Sequence, residues 1–225
     1  MRRLLLLLAV IAGLTVAVTP VMAATTFHTR EIGTGLNAYF TNAVWDQDGN
    51  LPNGSYFETQ VEAAERVATG GFGYAEATVC VWHNEFTILD GNLTDESWFG
   101  ACGPYDTLTV NKKLASGNVI ASFEAVECLT WDDTKGECIE EVNLGTVAID
   151  VTATGSGPLT NYHGTGSGGA SGQYQSTYHG NGSYREANVT GTVTLDGASL
   201  IAGAPQASGT LFKTKSGYVD VMHQK

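Results

Sequence analysis

Alternation of apolar and polar residues with a period of two dominates the chain. In residues 189–195 (VTGTVTL) the apolar Val189, Val193 and Leu195 fall on one side and threonines on the other. Residues 118–131 (NVIASFEAVECLTW) repeat the pattern. Successive side chains of a β-strand point to opposite faces, so this alternation predicts antiparallel strands with one buried and one solvated face.

The alternation slips by one residue at Gly145. In residues 141–151 (EVNLGTVAIDV) the apolar positions before the slip are Val142 and Leu144, and those after it are odd-numbered. One extra residue in a strand shifts the side chains in this way, so we expect a β-bulge at Gly145.

Residues 55–68 (SYFETQVEAAERVA) fit either a helix or a strand, because their apolar residues share a face under both periods. The segments on either side, DGNLPNG and TGGFG, are typical of hairpin turns and favour a strand. No other window competes as a helix. The sequence therefore predicts an all-β protein, an antiparallel β-sandwich.

The composition changes near residues 99–106, where the chain becomes richer in Gly, Ser and Thr. This predicts two β-rich halves, residues 24–104 and 105–225, although one continuous structure remains open.

The first 23 residues have the three parts of a signal peptide. Arg2 and Arg3 precede an apolar run, and small residues lead to a cleavage position between Ala23 and Ala24. The apolar run is too short for a comfortable membrane anchor, and no later segment is apolar enough to span a bilayer. We therefore expect a secreted, extracellular protein without a membrane span.

Four cysteines follow the signal peptide. In an exported protein an even number of cysteines indicates disulfides, and four allow three pairings. Residues 128–138 (CLTWDDTKGEC) look like a hairpin that sets Cys128 opposite Cys138. We expect this bond together with one between Cys80 and Cys102.

The chain carries 23 acidic and 11 basic residues, a net charge of −12, and loss of Arg2 and Arg3 makes it more negative. Long-range repulsion from phosphates argues against nucleic acid and anionic membrane surfaces as partners.

Three motifs in the C-terminal part resemble a group of secreted β-rich proteins of actinomycete-type bacteria. They are a T-G-x-G-P-L segment at 154–159, an R-E-A-x-x-x-G-x-V strand at 185–193 and a closing K-S-G-x-V strand at 215–219. The resemblance implies an exported β protein and carries no activity with it.

Asp46, Asp48 and Asn50 alternate beside Gly49, as oxygen ligands do at the start of a calcium loop. A calcium-binding helical loop would need glycine at its sixth position and glutamate at its twelfth, where Leu51 and Phe57 stand. Asp-Gly is also a hairpin-turn signal. A turn is the favoured interpretation, with a weak calcium site as the alternative and no other cofactor expected.

Two further sets of residues suggest chemistry only weakly. A hairpin centred on Ser171 would set His163 directly opposite His179, but two ligands are too few for a zinc site. A pair of carboxylates could hydrolyse a glycan, yet acids are so abundant here that pairs arise by chance.

Aromatic residues supply the remaining candidates for a binding site. Trp82, Trp98 and Tyr105 lie near the predicted Cys80–Cys102 disulfide, and Trp131 lies near the tip of the second hairpin. Aromatic rings near turns form platforms for sugar rings or anchors for a protein partner.

The sequence thus favours a secreted, acidic, non-catalytic binding protein for a glycan or an extracellular protein surface. A secreted hydrolase and a purely structural protein of the cell envelope are the alternatives.

Overall fold

The computed structural model describes residues 24–71, 73–132, 134–170 and 174–223. The predicted signal peptide, residues 1–23, lies outside the described residues. The described residues form eleven β-strands and no helix. In chain order these are β1 Ala24–Thr41, β2 Gly54–Gly70, β3 Tyr74–Leu89, β4 Asn92–Gly103, β5 Thr107–Val110, β6 Ser116–Asp132, β7 Glu137–Gly155, β8 Thr160–Ala170, β9 Tyr174–Leu195, β10 Ala198–Ser199 and β11 Gln206–His223.

All eleven strands join one open antiparallel sheet. Its order is β4-β3-β2-β1-β11-β9-β7-β6-β5, and β8 and β10 pair with β9 outside this path. The longest pairing joins the two ends of the described chain, from Ala24 opposite His223 to Thr41 opposite Gln206. This pairing places the first and last strands at the centre of the sheet.

The sheet folds over a single main core in a sandwich-like arrangement. One half-sheet contains β1–β4, β11 and the β8–β9 hairpin; the other contains β5–β7 with the C-terminal end of β9. Both halves contribute apolar side chains to the same buried cluster, among them Leu36, Val61, Val79, Val119, Ile149, Val193 and Leu211. The all-β, antiparallel, disulfide-stapled class predicted from the sequence is confirmed.

We call the face of the first half-sheet that carries Leu36, Val61 and Val79 the inner face, and the opposite one the outer face. Residues 104–106 form the loop between β4 and β5.

Two local predictions are confirmed. The ambiguous segment 55–68 lies inside β2 and pairs with β1 and β3 along its length. The register of β6 and β7 shifts by one residue after Ala125 pairs with Gly145, which is the expected bulge. Gly145 has a φ of +118°, a conformation that side chains disfavour and glycine accepts.

The two disulfides have the expected pairing, Cys80–Cys102 and Cys128–Cys138. The first joins directly opposed residues of β3 and β4. The second joins β6 and β7 near the hairpin tip, where Gly136 N donates to Asp132 O over 2.8 Å. Both bonds therefore fasten hairpins that the strand pairing already defines.

Candidate functional site

Two tryptophans meet on the outer face of the β3–β4 hairpin. Trp82 of β3 pairs with Gly100 of β4, and Trp98 lies two residues before Gly100 on β4. A side-chain carbon built on Gly100 would lie 2.5 Å from Trp98 Cη2 and 3.1 Å from Trp82 Cδ1, so both indoles lie over this glycine. Trp98 is 68% exposed and Trp82 is half-buried. We call Trp82, Trp98 and Gly100 the indole surface.

Strand pairing explains why these residues share a face. Residues directly opposed across a sheet point the same way, and so do residues two apart along a strand. The Cys80–Cys102 disulfide occupies the next row of this face and links the same two strands. The indole surface therefore rests on a covalently fastened hairpin.

Polar side chains border the indole surface. Asn84 pairs with Trp98 and donates from Nδ2 to Glu96 Oε1 over 3.1 Å. Its Oδ1 is buried and has no hydrogen-bond partner among the described residues. Buried amide oxygens are nearly always paired, so an unpaired one beside the two indoles can accept a hydrogen bond from a ligand hydroxyl.

A shallow pocket continues the row across the sheet. Gln60 lies between Trp82 and Tyr39, and Tyr39 pairs in turn with Ser208 of β11. The pocket encloses about 260 Å³ between β2, β1 and β11. Strands lie about 4.8 Å apart, so the row from Trp82 to Ser208 spans about 14 Å.

Most side chains that line the pocket are polar and can form hydrogen bonds. Asn37 lines the pocket, and its amide oxygen, like that of Asn84, is buried and has no hydrogen-bond partner among the described residues. Burial raises the pKa of Tyr39 to about 12, and a hydrogen bond to Glu58 adds to the shift. The Tyr39 phenol therefore stays protonated at any physiological pH, with its hydrogen donated to Glu58 and its oxygen lone pairs left to accept.

The other predicted aromatic residues do not join this surface. Tyr105 is half-buried and packs against the main core. Burial raises its pKa, with a contribution from Glu65. The backbone of Trp131 pairs with Cys138, but the side chain of Trp131 lies outside the described part of the chain. The structure thus brings Trp82 and Trp98 together and places Tyr105 elsewhere.

Asp46, Asp48 and Asn50 lie in a turn whose backbone uses the Asp46 carboxylate. Asp46 Oδ1 accepts from the Asp48 and Asn50 N–H groups over 2.9 and 2.7 Å. These bonds, led by the one from Asn50, hold the pKa of Asp46 below its ordinary value. Gly49 takes a φ of +78° and donates to Asp46 O. These contacts match the predicted turn.

The expected opposition of His163 and His179 is wrong. His163 pairs with Asn181, and His179 pairs with Thr165. Ala170 pairs with Tyr174, which centres the hairpin one residue later than Ser171 and moves the two histidines two residues out of register. Among the described residues, no group of three or more His, Cys, Asp and Glu side chains is arranged to hold a metal ion.

A carboxylate pair lies on the inner face at the end of the same hairpin. Glu85 pairs with Ser97 and Asp95 pairs with Thr87, so the two acids are diagonal neighbours. They line a depression of about 410 Å³. The Cα atoms of diagonal positions lie about 7–8 Å apart, so the two carboxyl groups can reach the separation of about 6.5–9.5 Å found in inverting glycosidases. No particular carboxylate pair could be selected from the sequence, because acids are so abundant in it, and this pair was missed.

Comparison of the chain with family models, with curated proteins and with solved structures finds no match. Within the described ranges, the structure contains no helix long and apolar enough to cross a membrane.

Proposed function

We propose that this is a secreted binding protein whose outer face binds a neutral glycan. The observation that carries the proposal is the indole surface, where the 68% exposed Trp98 meets Trp82 beside the unpaired amide oxygen of Asn84. The two disulfides support export, because such bonds form and persist in oxidising compartments.

The geometry suits a saccharide because the face combines two kinds of contact. Apolar C–H faces of a sugar ring pack against indole rings, which contribute large contact area at small conformational cost. The hydroxyl groups of the sugar reach Asn84 next to the indoles and the polar pocket at Tyr39 and Asn37. A ligand that spans both regions must be a chain of sugars, since the row is about 14 Å long.

The test measures binding to a panel of soluble neutral polysaccharides, mannan, arabinogalactan and a β-glucan, by affinity electrophoresis. Trp98→Ala is compared with Trp45→Ala, a matched control because Trp45 is 54% exposed and belongs to the β1–β2 loop rather than to the β3–β4 hairpin. Truncation of an aromatic anchor costs about 2 kcal/mol or more, so Trp98→Ala should weaken binding about thirtyfold.

Binding by the wild type and by Trp45→Ala, with loss in Trp98→Ala, supports the proposal. Equal loss in both tryptophan variants, or no binding of any neutral polysaccharide, would overturn it.

Hydrolysis is the second candidate function, favoured by one observation, the Glu85–Asp95 pair. In such a reaction one carboxyl protonates the leaving oxygen while the other activates water. The pair lies on the inner face and the indole surface on the outer face, so the tryptophans do not line its cleft. Reducing-sugar release that disappears in both Glu85→Gln and Asp95→Asn would support hydrolysis.

A further inference from the structure

The inner face of the first half-sheet is left partly uncovered beyond the core. The core ends at the row of Leu36 and Leu211, and the next rows carry Thr34 with Lys213 and Ile32 with Lys215. Ile32 lies in the middle of the sheet and is nonetheless 51% exposed. The second half-sheet therefore stops short of these rows.

A groove of about 580 Å³ occupies this uncovered region. Its floor crosses β1, β11, β9 and β8. Val110 of β5 lines it on the side of the second half-sheet, because its partner Gly117 faces Leu211. Ser183 donates to Asn161 Oδ1 over 2.6 Å, which shows that both side chains point into the same face.

A second depression, of about 290 Å³, follows directly along the same strands. Its lining includes His28, Arg30 and His179, and Arg30 pairs with Gly217, the second residue after Lys215. Rows two residues apart are separated by about 7 Å, so the four rows from Thr34 to His28 form a track of about 20 Å. We call this the cationic track, with Lys213, Lys215 and Arg30 as its permanent charges.

Charge is segregated between the two faces of these strands. The inward-pointing residues of 26–34, 161–169, 175–183 and 213–221 include the three cations and three histidines but no aspartate or glutamate. The outward-pointing residues of the same rows include Glu31 and Asp220. Glu65 of β2, opposite Thr34, borders the track. A chain of net charge −12 thus keeps one elongated surface positive.

We propose that the cationic track binds a linear anionic polysaccharide. The three cations attract its carboxylate or sulfate groups, and the groups between them, Thr34, Asn161, Asn181 and Ser183, hydrogen-bond with hydroxyls. Single-stranded nucleic acid stacks its bases on aromatic platforms, and the two tyrosines that border the depressions, Tyr162 and Tyr218, belong to rows that point to the outer face. The concave shape does not suit a flat lipid surface. This site is independent of the indole surface, which lies on the opposite face.

The test compares dextran sulfate and polygalacturonate with uncharged dextran as ligands for the purified mature protein. The variants are Lys213→Gln/Lys215→Gln and, as a matched control, Lys135→Gln, an exposed lysine of the β6–β7 hairpin. Loss of two charge-assisted contacts should weaken binding of the anionic polysaccharides at least about tenfold. Added salt should weaken the wild-type complex as well, because it screens exposed charges.

Three outcomes would overturn the proposal: equal affinity for dextran and dextran sulfate, unchanged binding in the double variant, or binding of phosphatidylglycerol vesicles in preference to both anionic polysaccharides. Retained binding in Trp98→Ala is expected, so failure of this proposal is distinguishable from failure of the neutral-glycan proposal. Circular dichroism of the double variant checks that it folds.

Discussion

Thr59 forms a buried polar contact between the two halves of the sandwich. Its side chain is fully buried in β2. Its hydroxyl lies 2.6 Å from Leu200 O, and it must donate there because a carbonyl only accepts. The same oxygen lies 2.7 Å from Nδ1 of the buried His83. With its hydrogen committed to Leu200, Thr59 accepts from His83, so Nδ1 carries a proton; the other ring nitrogen, Nε2, lies 3.3 Å from Glu85 Oε1.

Replacing Thr59 with valine keeps the shape and removes both hydrogen bonds. Each bond is worth about 1 kcal/mol net, and a buried donor left without an acceptor adds about 1–3 kcal/mol. We therefore expect Thr59→Val to lower the free energy of unfolding by about 3–5 kcal/mol. Thr59→Ser is the matched control, because it keeps the oxygen and loses one methyl group, at about 1 kcal/mol.

Urea unfolding followed by tryptophan fluorescence measures both variants, with an unchanged slope as the check that the unfolded states are comparable. For a domain of this size the melting temperature should fall by roughly 6–20 °C in the valine variant. If Thr59→Val proves as stable as Thr59→Ser, the hydroxyl does not join the halves of the sandwich and the assignment of the His83 proton fails.

Three further results are expected. Replacing both Cys80 and Cys102 with alanine should cost about 3.4 kcal/mol and opening the second disulfide about 2.7, because the closed loops span 22 and 10 residues; a larger loss at the second, measured by urea unfolding, would contradict this. Thermal melts in calcium and in EDTA should coincide. The ionised Asp46 stabilises the wild type above pH 3.8, and this stabilisation is lost as the pH falls through the lowered pKa of Asp46, because protonation weakens the turn. Asp46→Asn should remove it. Stability should decline between about pH 10 and 12 as Tyr39 ionises first in the unfolded state, and Tyr39→Phe should reduce this decline; an unchanged decline would place the raised pKa elsewhere.

Local features of the fold could be predicted from the sequence because they depend on neighbouring residues. Turn residues on both sides of segment 55–68 decided strand over helix, and a phase slip located the bulge at Gly145. The strand order could not be predicted in this way. The central pairing of β1 with β11 joins Ala24 to His223, and nothing local in either strand specifies a partner so distant in the chain.

The binding surfaces were predictable only in part. The tryptophans were visible candidates, but Gly100, over which both indoles lie, became meaningful only once the register opposed it to Trp82. The hairpin of the two histidines failed for a related reason, because a shift of one residue in the turn centre moves every opposed pair by two.

The cationic track left a signal in the sequence that net charge concealed. His28 and Arg30 alternate with one residue between them, and so do Lys213 and Lys215. In strands such spacing puts both charges on one face. That the two strands are neighbours, and that their shared face is uncovered, follows only from the pairing and the groove.

The central claim, that the indole surface binds a neutral glycan, is tested most directly by the indole N–H signals of the four tryptophans in a ¹⁵N–¹H spectrum. Substitution of each tryptophan by phenylalanine assigns the signals, and the neutral polysaccharide bound best is then added in steps. The account predicts that the Trp82 and Trp98 signals shift together while that of Trp45 stays in place. Shifts at Trp45 alone, or no shift at Trp98, would contradict it.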